Sequence, residues 1–386
     1  MLPQIAKLSE ELEMFRAALE GTIDRVSPVA RVQKLDNAKE FDAELHRALA
    51  ELGVMGLGVP EEHSGGGGHA LEQVVALEVL GRKATSMAVF MVVHYMITRL
   101  LRENGTAEQK VRYLGPLAAG TIKASFCLTE AGGGTDILAA MKTRAVREGD
   151  GWVLSGNKMW ISGASTSDIM IVLARTGEHR SRGITMFLVP TRAEGVTAHE
   201  VPTFAINGYD TNELALDNVR LPADAVLGEV DRGFSQVVAT LNGERMNAAA
   251  VAVGIGRGAL EVTRQYALER QAFGKALGQF QAVQHQIATA GIAIESAWLL
   301  TLEAARSDAE GRPTDVVSSM AKWASAKAAV QCTDTGMEIF AGAGFDTNLP
   351  IQRYYRDARL YSFAPLNQNM ALNMIGERWL SFPRSF

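Results

Sequence analysis

Cysteine is scarce in this chain of 386 residues, which contains only Cys127 and Cys332. A single pair so distant in sequence is not a disulfide framework, and each residue is expected to be a small buried apolar side chain. The seven histidines are scattered, and neither His-x-x-x-His nor Cys-x-x-Cys spacing occurs. No metal site is therefore expected.

A surplus of basic residues is also lacking, since 38 Lys and Arg face 43 Asp and Glu and the net charge is −5. Nucleic-acid binding needs a basic face, so no nucleic-acid partner is expected. A membrane span would need a run of about 18 uncharged apolar residues, and none is present. Residues 1–20 carry charges at helical spacing, so we expect no signal peptide and a cytoplasmic location.

Glycine-rich nucleotide loops are absent in their usual form. The run 65–68 is not followed by the Lys and Ser or Thr of a P-loop, and we interpret it as a flexible connector. Gly254, Gly256 and Gly258 resemble a dinucleotide fingerprint, which must follow a strand. Because they lie within a helical pattern here, close packing between helices is the favoured interpretation.

Hydrophobic periodicity divides the chain into three regions. In the first, residues such as Phe41, Leu45 and Leu49 recur at helical spacing. In the second, short apolar runs such as 169–173 and 184–189 indicate strands of a small barrel or sandwich. The helical pattern then returns. The predicted fold is mainly α with a central β domain, divided into a helical N-terminal domain (1–121), a β domain (122–231) and a helical C-terminal domain (232–386).

Two glycine-containing turns in the β region are candidate ligand sites. In 126–136, glycines would let backbone N–H groups approach an anion, and Thr135 could donate another hydrogen bond. About 30 residues later, 156–164 carries Trp160 and Ser162. On composition alone, the first segment could be a tight β-turn and the second a hairpin with a core tryptophan.

Three further segments stand out along the chain. The segment 214–222 leaves the β region, and its role is expected to be structural. In 269–275, Arg270 suits a bidentate bond to a pyrophosphate, although this turn could simply cap a helix. The segment 338–345 leads into a final run rich in Arg and Tyr at 353–359.

In order and spacing, these five segments resemble the signatures of the acyl-CoA dehydrogenase family over nearly the whole chain. The family's first signature reads Leu-Thr-Glu-Pro-x-Ala-Gly-Ser-Asp; here Ala131 replaces the proline and Thr135 keeps the hydroxyl of the serine. The resemblance implies a helical N-terminal domain, a β-barrel middle domain and a C-terminal four-helix bundle. It also implies one FAD per subunit, a homotetramer, an acyl-CoA substrate from fatty acid or branched-chain catabolism, and an electron-transfer flavoprotein as partner.

The same resemblance implies an FAD site built from two parts of the chain. Trp160 would pack beside the isoalloxazine ring, and Ser162 would hydrogen-bond near its N5 atom. Arg270, Phe273 and Gln281 would instead reach the FAD of a neighbouring subunit. The complete set implied to bind FAD is Phe126, Leu128, Thr129, Gly134, Thr135, Trp160, Ile161, Ser162, Arg270, Phe273, Phe280, Gln281, Glu338, Phe340, Ala341, Gly342, Asn367 and Asn369.

The chain departs from many family members at the catalytic glutamate. That residue usually follows the Arg-Asp-Ala signature within Tyr-Glu-Gly-Thr, but the position here reads Ala-Pro-Leu-Asn at 364–367. The isovaleryl and long-chain type carries its base on the first helix of the C-terminal domain, immediately before an arginine. Glu244 precedes Arg245 at that place, so the resemblance makes Glu244 the catalytic base.

The helical pattern supports this assignment independently of the resemblance. A carboxylate on an apolar helix face is costly to bury unless it is paired or protonated, and desolvation would raise its pKa toward the working range. The alternative is a structural ion pair of Glu244 with Arg245 or Arg270. The face consists of Val237, Leu241, Glu244, Ala248, Val251 and Ile255.

The expected reaction is FAD-dependent α,β-dehydrogenation of an acyl-CoA thioester to a trans-2-enoyl-CoA. Glu244 would remove the α-proton while hydrogen bonds to the thioester oxygen stabilise the developing enolate. Pro365 has no N–H to offer, so either Ala364 or Leu366 would donate instead or the thioester oxygen would be held in a different way. The residues expected to contact substrate are Thr135, Leu241, Arg245, Ala364, Pro365 and Leu366.

The sequence leaves two alternatives open. The scaffold could perform another thioester reaction, such as desulfination of a sulfinoacyl-CoA, with Arg82 holding the acid group, although a solvated surface arginine is the favoured interpretation of Arg82. Alternatively, the chain could be a catalytically silent flavoprotein with a binding role.

Overall fold

The computed structural model describes residues 5–384 and places helices at both ends of the chain with strands between them. The predicted arrangement, mainly α with a central β region, is confirmed. The fold matters for function because the three regions meet along one long helix.

Helices make up the N-terminal region. They are α1 (Glu10–Val26), α2 (Val29–Ala38), α3 (Ala43–Glu51), α4 (Ala70–Lys83), α5 (Thr85–Asn104) and α6 (Ala107–Ala118). Polar caps fix where several of them begin: Ser9 accepts a hydrogen bond from the Leu12 amide (3.3 Å), and Thr106 forms a reciprocal capping box with Gln109. Helix α5 is buried along most of its length, because its Met, Val, Phe and Leu side chains cover nearly the whole circumference.

The middle region forms a mixed eight-stranded sheet, which confirms the predicted β domain, although two of its strands are longer than the short strands expected. The strands are β1 (Ala124–Cys127), β2 (Arg144–Glu148), β3 (Gly151–Ser162), β4 (Ile169–Arg175), β5 (Ile184–Pro190), β6 (Val196–Glu200), β7 (Thr211–Leu221) and β8 (Val226–Leu227). Their order is β6-β7-β3-β2-β4-β5-β8, and β1 pairs in parallel with β4. A single-turn helix, α7 (Ile137–Ala140), follows the glycine-rich turn after β1.

The two faces of β4 pack against different layers. Ile171 and Leu173 join a core shared with α5 and α6, whereas Val172 packs with Trp152 of β3 and Leu214 of β7. Successive side chains of a strand point to opposite sides. One face of the sheet therefore packs against the N-terminal helices, and the other face encloses a second core formed by side chains of the sheet itself.

Long helices return in the C-terminal region. They are α8 (Gly233–Glu269), α9 (Gln281–Ala309), α10 (Asp315–Phe340), α11 (Ile351–Ala358) and α12 (Gln368–Arg378), and a small hairpin of β9 (Gln271–Ala272) and β10 (Lys275–Ala276) joins α8 to α9. Helix α8 packs against α4, α5, α9 and α10. It is therefore the element that links the C-terminal bundle to the N-terminal region.

Glycines allow α8 to approach its neighbours closely, as the sequence predicted. A Cβ atom at Gly254 would lie 2.2 Å from the Glu78 carbonyl oxygen, and one at Gly256 would lie 2.6 Å from the Ile294 side chain. Both distances are far below van der Waals contact. The Gly254, Gly256 and Gly258 pattern is confirmed as a helix-packing feature and not a nucleotide loop.

The glycine run at 65–68 was wrongly predicted to be a flexible connector. The Gly66 amide donates to the Gly56 carbonyl (2.9 Å), and a Cβ at Gly65 would lie 2.1 Å from the Val59 carbonyl oxygen. The loop folds back on the chain before it, and glycine is required because the two backbone segments nearly touch.

Arg82 was also wrongly interpreted as a solvated surface residue. It is buried on α4 and forms ion pairs with Glu20 of α1, Glu78 of its own helix and Glu261 of α8. Three helices converge on this side chain, so it stabilises their junction and has its charge already balanced.

Two further sequence expectations concern cysteine and membrane spans. Cys127 and Cys332 are both buried and unpaired, as expected. Among the described helices, α9 alone is long and apolar enough to cross a membrane by length and composition. Core helices pass the same test, and α9 packs against α8 and α10.

Candidate active site

A buried ion pair joins the glycine-rich turn after β1 to strand β3. Lys158 Nζ donates to Glu130 Oε1 (2.9 Å) and to the Leu128 carbonyl (3.0 Å). Glu130 also accepts from the amides of Lys142 (2.6 Å) and Thr143 (3.0 Å). Burial of Glu130 opposes its ionisation, but Lys158 and these amides outweigh that effect and hold its pKa below the ordinary value.

Neither Glu130 nor Lys158 was predicted from the sequence to belong to the site. The signal for Lys158 lay in the strand periodicity, since it has the same parity as Trp152 and Leu154, which face the core. The pair clamps together the two segments that carry the implied flavin contacts Thr129 and Trp160.

Backbone strain marks several of the implied FAD positions. Trp160, Phe273 and Ala341 adopt left-handed backbone conformations, with φ of 63°, 51° and 49°. This conformation costs a non-glycine residue about 1–2 kcal/mol and concentrates at ligand sites. Trp160 is also 57% exposed and Phe273 95% exposed. Exposed aromatic rings on strained backbone suit surfaces that a flat cofactor covers, and Trp160 and Phe273 belong to two different surfaces of the chain.

A side-chain contact joins the glycine-rich turn after β1 to the loop before α12. Asn367 Nδ2 donates to the Thr135 hydroxyl (2.8 Å), and Asn367 Oδ1 accepts from the Met370 amide (3.0 Å) and so caps α12. Thr135 and Asn367 were both implied to bind FAD, and the structure brings them into contact although they belong to different domains.

In the loop before α12, the Ala364 and Leu366 amides are the two expected donors to the thioester oxygen, and only the Leu366 amide is free to donate. The Ala364 amide donates to the Leu360 carbonyl (2.9 Å), which corrects its expected availability to a substrate. The Leu366 amide has no hydrogen-bond partner within residues 5–384. Pro365 between them has no N–H. Of these two amides, Leu366 is therefore the one that is able to bind an oxygen.

Glu244 lies on α8 between the β region and α12. One turn earlier, Leu241 packs with Phe126 and Leu128 against the core below the sheet. Immediately after it, Arg245 donates to Met374 Sδ of α12 (3.5 Å). The base candidate is thus flanked by residues that contact the two segments forming the candidate site.

The Glu244 carboxylate is desolvated and unpaired. Within the described part of the chain it has no hydrogen bond and no ion pair shorter than 4.0 Å, so the structural pair with Arg245 or Arg270 does not form. Burial raises its pKa to about 7, and the charge of Arg245 opposes this only in part. A carboxyl group with this pKa can accept and release a proton near neutral pH.

Arg245 is held away from Glu244 by other partners. Its guanidinium donates to Asn242 Oδ1 (2.7 Å) as well as to Met374, and its burial lowers its pKa. The residue therefore fixes α8 to α12 next to the base candidate.

A second group of implied FAD residues lies at the opposite end of α8. Arg270 follows the last residue of this helix, about 39 Å from Glu244 at 1.5 Å per residue. The Arg270 guanidinium is exposed and has no partner among the described residues. Phe280 lies edge-on to Phe273 (6.2 Å), and both flank the start of α9. The remaining exposed members of this group are Gln281, Glu338, Ala341 and Gly342.

Two implied FAD residues turn their side chains into the protein. Ile161 is buried in the core of the sheet, and Phe340 stacks on Tyr266 with ring centroids 4.0 Å apart. Contact of these two residues with FAD would therefore have to come from their backbone atoms. Asn369 is exposed on α12, and Gly134 and Ser162 lie at or near the surface of their turns.

Comparison with known proteins places these sites in a family context. Three family models match the chain: the acyl-CoA dehydrogenase N-terminal domain over residues 9–121, its middle domain over 125–219 and its C-terminal domain over 231–380. Together they span nearly the whole sequence in the expected order.

Relatives and solved structures agree with those matches. The chain is 35% identical over 361 residues to the mitochondrial short-chain specific acyl-CoA dehydrogenase of Bos taurus, covering 92% of this chain and 87% of that protein. It superposes with a TM-score of 0.94 and 29% identity on a chain from the electron transferring flavoprotein structure of Acidaminococcus fermentans. The match covers 97% of this chain and 99% of that chain. The chain also superposes on a glutaryl-CoA dehydrogenase of Mycobacterium smegmatis in complex with FADH2, with a TM-score of 0.91 and 29% identity. The match covers 98% of this chain and 96% of that chain.

Proposed function

The chain belongs to the acyl-CoA dehydrogenase family, and from this premise we propose that it performs α,β-dehydrogenation of an acyl-CoA thioester with Glu244 as the base. Members of this family are flavoproteins, and the curated relative above acts on short-chain substrates by name. The observation that carries the proposal is the unpaired Glu244 carboxylate, whose pKa burial raises to about 7.

Glu244 is suited to remove the α-proton of a thioester. Its carboxylate has no hydrogen bond or ion pair in residues 5–384, so both carboxylate oxygens are available to accept the α-proton. A base with a pKa near the working pH combines an available ionised form with adequate proton affinity. Arg245, fixed to Asn242 and Met374, keeps this stretch of α8 in place.

The Leu366 amide is suited to hold the thioester oxygen. It is free, and the hydrogen bond from Asn367 to Thr135 fixes the residue next to it. A donor placed in advance stabilises the negative charge that develops on this oxygen as the α-proton leaves. Glu244 and Leu366 would thus act on the same thioester from α8 and from the loop before α12.

The residues around Trp160 fit a flavin ring, and those around Arg270 fit a diphosphate. Exposed Trp160 on strained backbone offers a flat apolar surface, and Ser162 and Thr135 offer hydroxyl groups. The unpaired Arg270 guanidinium offers a bidentate donor. When bound, FAD supplies the acceptor for the β-hydride. Phe126, Leu128 and Leu241 are partly buried against the core below the sheet, and we expect them to provide apolar contacts for a short acyl chain.

The separation of the two groups supports an assembly of several copies. About 39 Å divides Glu244 from Arg270 along α8, so one FAD in the site near Glu244 is out of reach of Arg270 of the same chain. A neighbouring copy would supply Arg270 and Phe273, consistent with a homotetramer. An electron-transfer flavoprotein would reoxidise the enzyme, and a cytoplasmic location remains our expectation.

The desulfination alternative is not favoured. It relied on Arg82 as a free cation for the acid group of the substrate, but Glu20, Glu78 and Glu261 already pair with this guanidinium. The buried arginine has no free charge to offer.

The test is anaerobic titration of the purified flavoprotein with a panel of acyl-CoA esters, followed by flavin absorbance. We expect butyryl-CoA to bleach the wild-type flavin and palmitoyl-CoA to do so far more slowly. Glu244→Gln should bind FAD and fail to bleach, whereas the exposed control Glu194→Gln should behave as wild type. A wild-type flavin that no acyl-CoA bleaches would leave the protein as a silent flavoprotein.

A further inference from the structure

Lys322 of α10 is a buried cation without an anionic partner. Its side chain is 1% exposed, and its Nζ atom donates to the Tyr361 carbonyl (2.7 Å). Within the described residues it forms no ion pair, and burial alone lowers its pKa to about 8. A buried charge without a counter-ion destabilises the fold. Its presence here therefore points to a role other than stability.

The Tyr361 carbonyl, which accepts the hydrogen bond from Lys322, lies just before the loop that contains Leu366. Tyr361 belongs to the turn that follows α11, and the Leu360 carbonyl beside it accepts from the Ala364 amide (2.9 Å). The position of this turn therefore sets the path of 363–366. At the far end of the loop, Asn367 is anchored to the middle domain.

We propose that Lys322 is a positioning residue for the thioester site, which acts by anchoring the Tyr361 carbonyl so that the Leu366 amide faces the thioester oxygen. The inference rests on the proposed function, because it assigns a task to the loop that only a thioester substrate requires. Lys322 itself touches neither substrate nor cofactor in this account.

The chemistry of the contact explains why a cation stands at a buried position where an apolar side chain would avoid the cost of burying a charge. A protonated amine donates a charge-assisted hydrogen bond about twice as strong as a neutral one. Apart from the contact of Asn367 at its far end, the loop is held by backbone bonds within a single turn, so a stronger anchor restricts its motion. Loss of the proton at alkaline pH would weaken this anchor and loosen the loop.

The elements packed against α10 carry charged and titratable groups, but within residues 5–384 none pairs with Lys322. Burial is the sole cause of its lowered pKa. The groups carried by α10 and these elements include Glu244 and Arg245 on α8, Glu303 and Arg306 on α9, Asp315 on α10, Asp357, Arg359 and Tyr361 around the end of α11, and Glu377 and Arg378 on α12.

The test compares Lys322→Met, which keeps the shape and removes the donor, with Lys322→Gln, which keeps a neutral donor. Lys327→Met on the exposed side of the same helix is the matched control. Three quantities are measured on the FAD-loaded proteins: the pH profile of kcat/KM for butyryl-CoA, the melting temperature, and hydrogen–deuterium exchange of the amides in 363–366.

We expect Lys322→Met to lower kcat/KM by about 10- to 100-fold, in line with a slight misplacement of a catalytic donor. Its melting temperature should change little, because removal of the buried charge offsets the loss of the hydrogen bond to the Tyr361 carbonyl. The amides of 363–366 should exchange faster, Lys322→Gln should recover part of the rate, and the alkaline limb near pH 8 should vanish in both variants. Lys327→Met should match wild type throughout.

Unchanged kcat/KM with unchanged exchange in Lys322→Met would overturn the proposal. A drop in melting temperature that accompanies the loss of rate in both variants would do so too, because it would indicate a purely structural lysine. If wild type fails to bleach with any acyl-CoA, the proposed function fails instead, and the exchange measurement still decides whether Lys322 anchors the loop.

Discussion

The Asn367 side chain donates a 2.8 Å hydrogen bond to the Thr135 hydroxyl, although 232 residues separate the two in sequence. Thr135 lies in the glycine-rich turn of the middle domain, and Asn367 begins the last helix of the C-terminal domain. The contact ties together the two segments between which a flavin and a thioester would meet.

This contact can be measured with a double-mutant cycle of Thr135→Val and Asn367→Ala. We expect a coupling free energy of about 0.5–1.5 kcal/mol in urea unfolding, the usual net worth of such a hydrogen bond. Asn367→Ala also removes the cap of α12, but that loss is the same in both backgrounds and cancels. Additive effects of the two substitutions would contradict the contact.

The raised pKa of Glu244 has a consequence for stability. Burial moves this pKa from 4.5 to about 7, so the folded protein retains a proton that the unfolded chain releases. The free energy of unfolding should therefore fall as pH rises through this window. Relative to wild type, Glu244→Gln should gain about 2 kcal/mol of stability between pH 5 and pH 8. A stability difference that stays constant with pH would indicate that Glu244 is not desolvated.

The ion pair of Glu130 and Lys158 should be essential to the middle domain. Lys158→Met leaves the Glu130 carboxylate buried without its counter-ion, so we expect a loss of about 3–5 kcal/mol in stability, together with loss of bound FAD. The exposed pair of Arg220 and Glu148 is the control, and Arg220→Met should leave the stability nearly unchanged, because solvent screens this pair. Equal losses at the two sites would contradict this account.

The exposed Arg270 should act on the cofactor and not on the fold. Arg270→Ala is expected to weaken FAD binding by about 10- to 100-fold, as the loss of a charged hydrogen bond to phosphate implies, with an unchanged melting temperature of the apoprotein. Arg264→Ala, exposed on the same helix, is the control. Dilution that separates the subunits should produce the same loss of FAD in wild type, because Arg270 would serve a neighbouring copy.

The sequence was informative wherever function depends on local pattern. Helical spacing placed Glu244 on the apolar stripe of α8, and short apolar runs indicated the strands of the middle region. Periodicity reports which face of an element a residue occupies. It did not place Trp160, which has the parity of the core-facing Trp152 but is 57% exposed because the register of β3 shifts between Lys158 and Ile161.

The sequence failed where a residue's environment depends on elements far away in the chain. Arg82 looked solvated because its partners Glu20 and Glu261 come from other helices. Lys322 gave no sign of its role, since the Tyr361 carbonyl it holds lies on a turn that only the fold brings beside α10. The Ala364 amide looked free until the path of the backbone was known.

Proton removal by Glu244 is tested most directly by α-proton exchange in a thioester that has no β-hydrogen to lose, such as tert-butylacetyl-CoA. The holoenzyme is incubated with this thioester in D2O, and loss of the α-proton signal is followed by NMR. We predict exchange with wild type, rising with pH around 7, and exchange at least about 100-fold slower with Glu244→Gln. Equal exchange rates in the two proteins would contradict the assignment of Glu244 as the base.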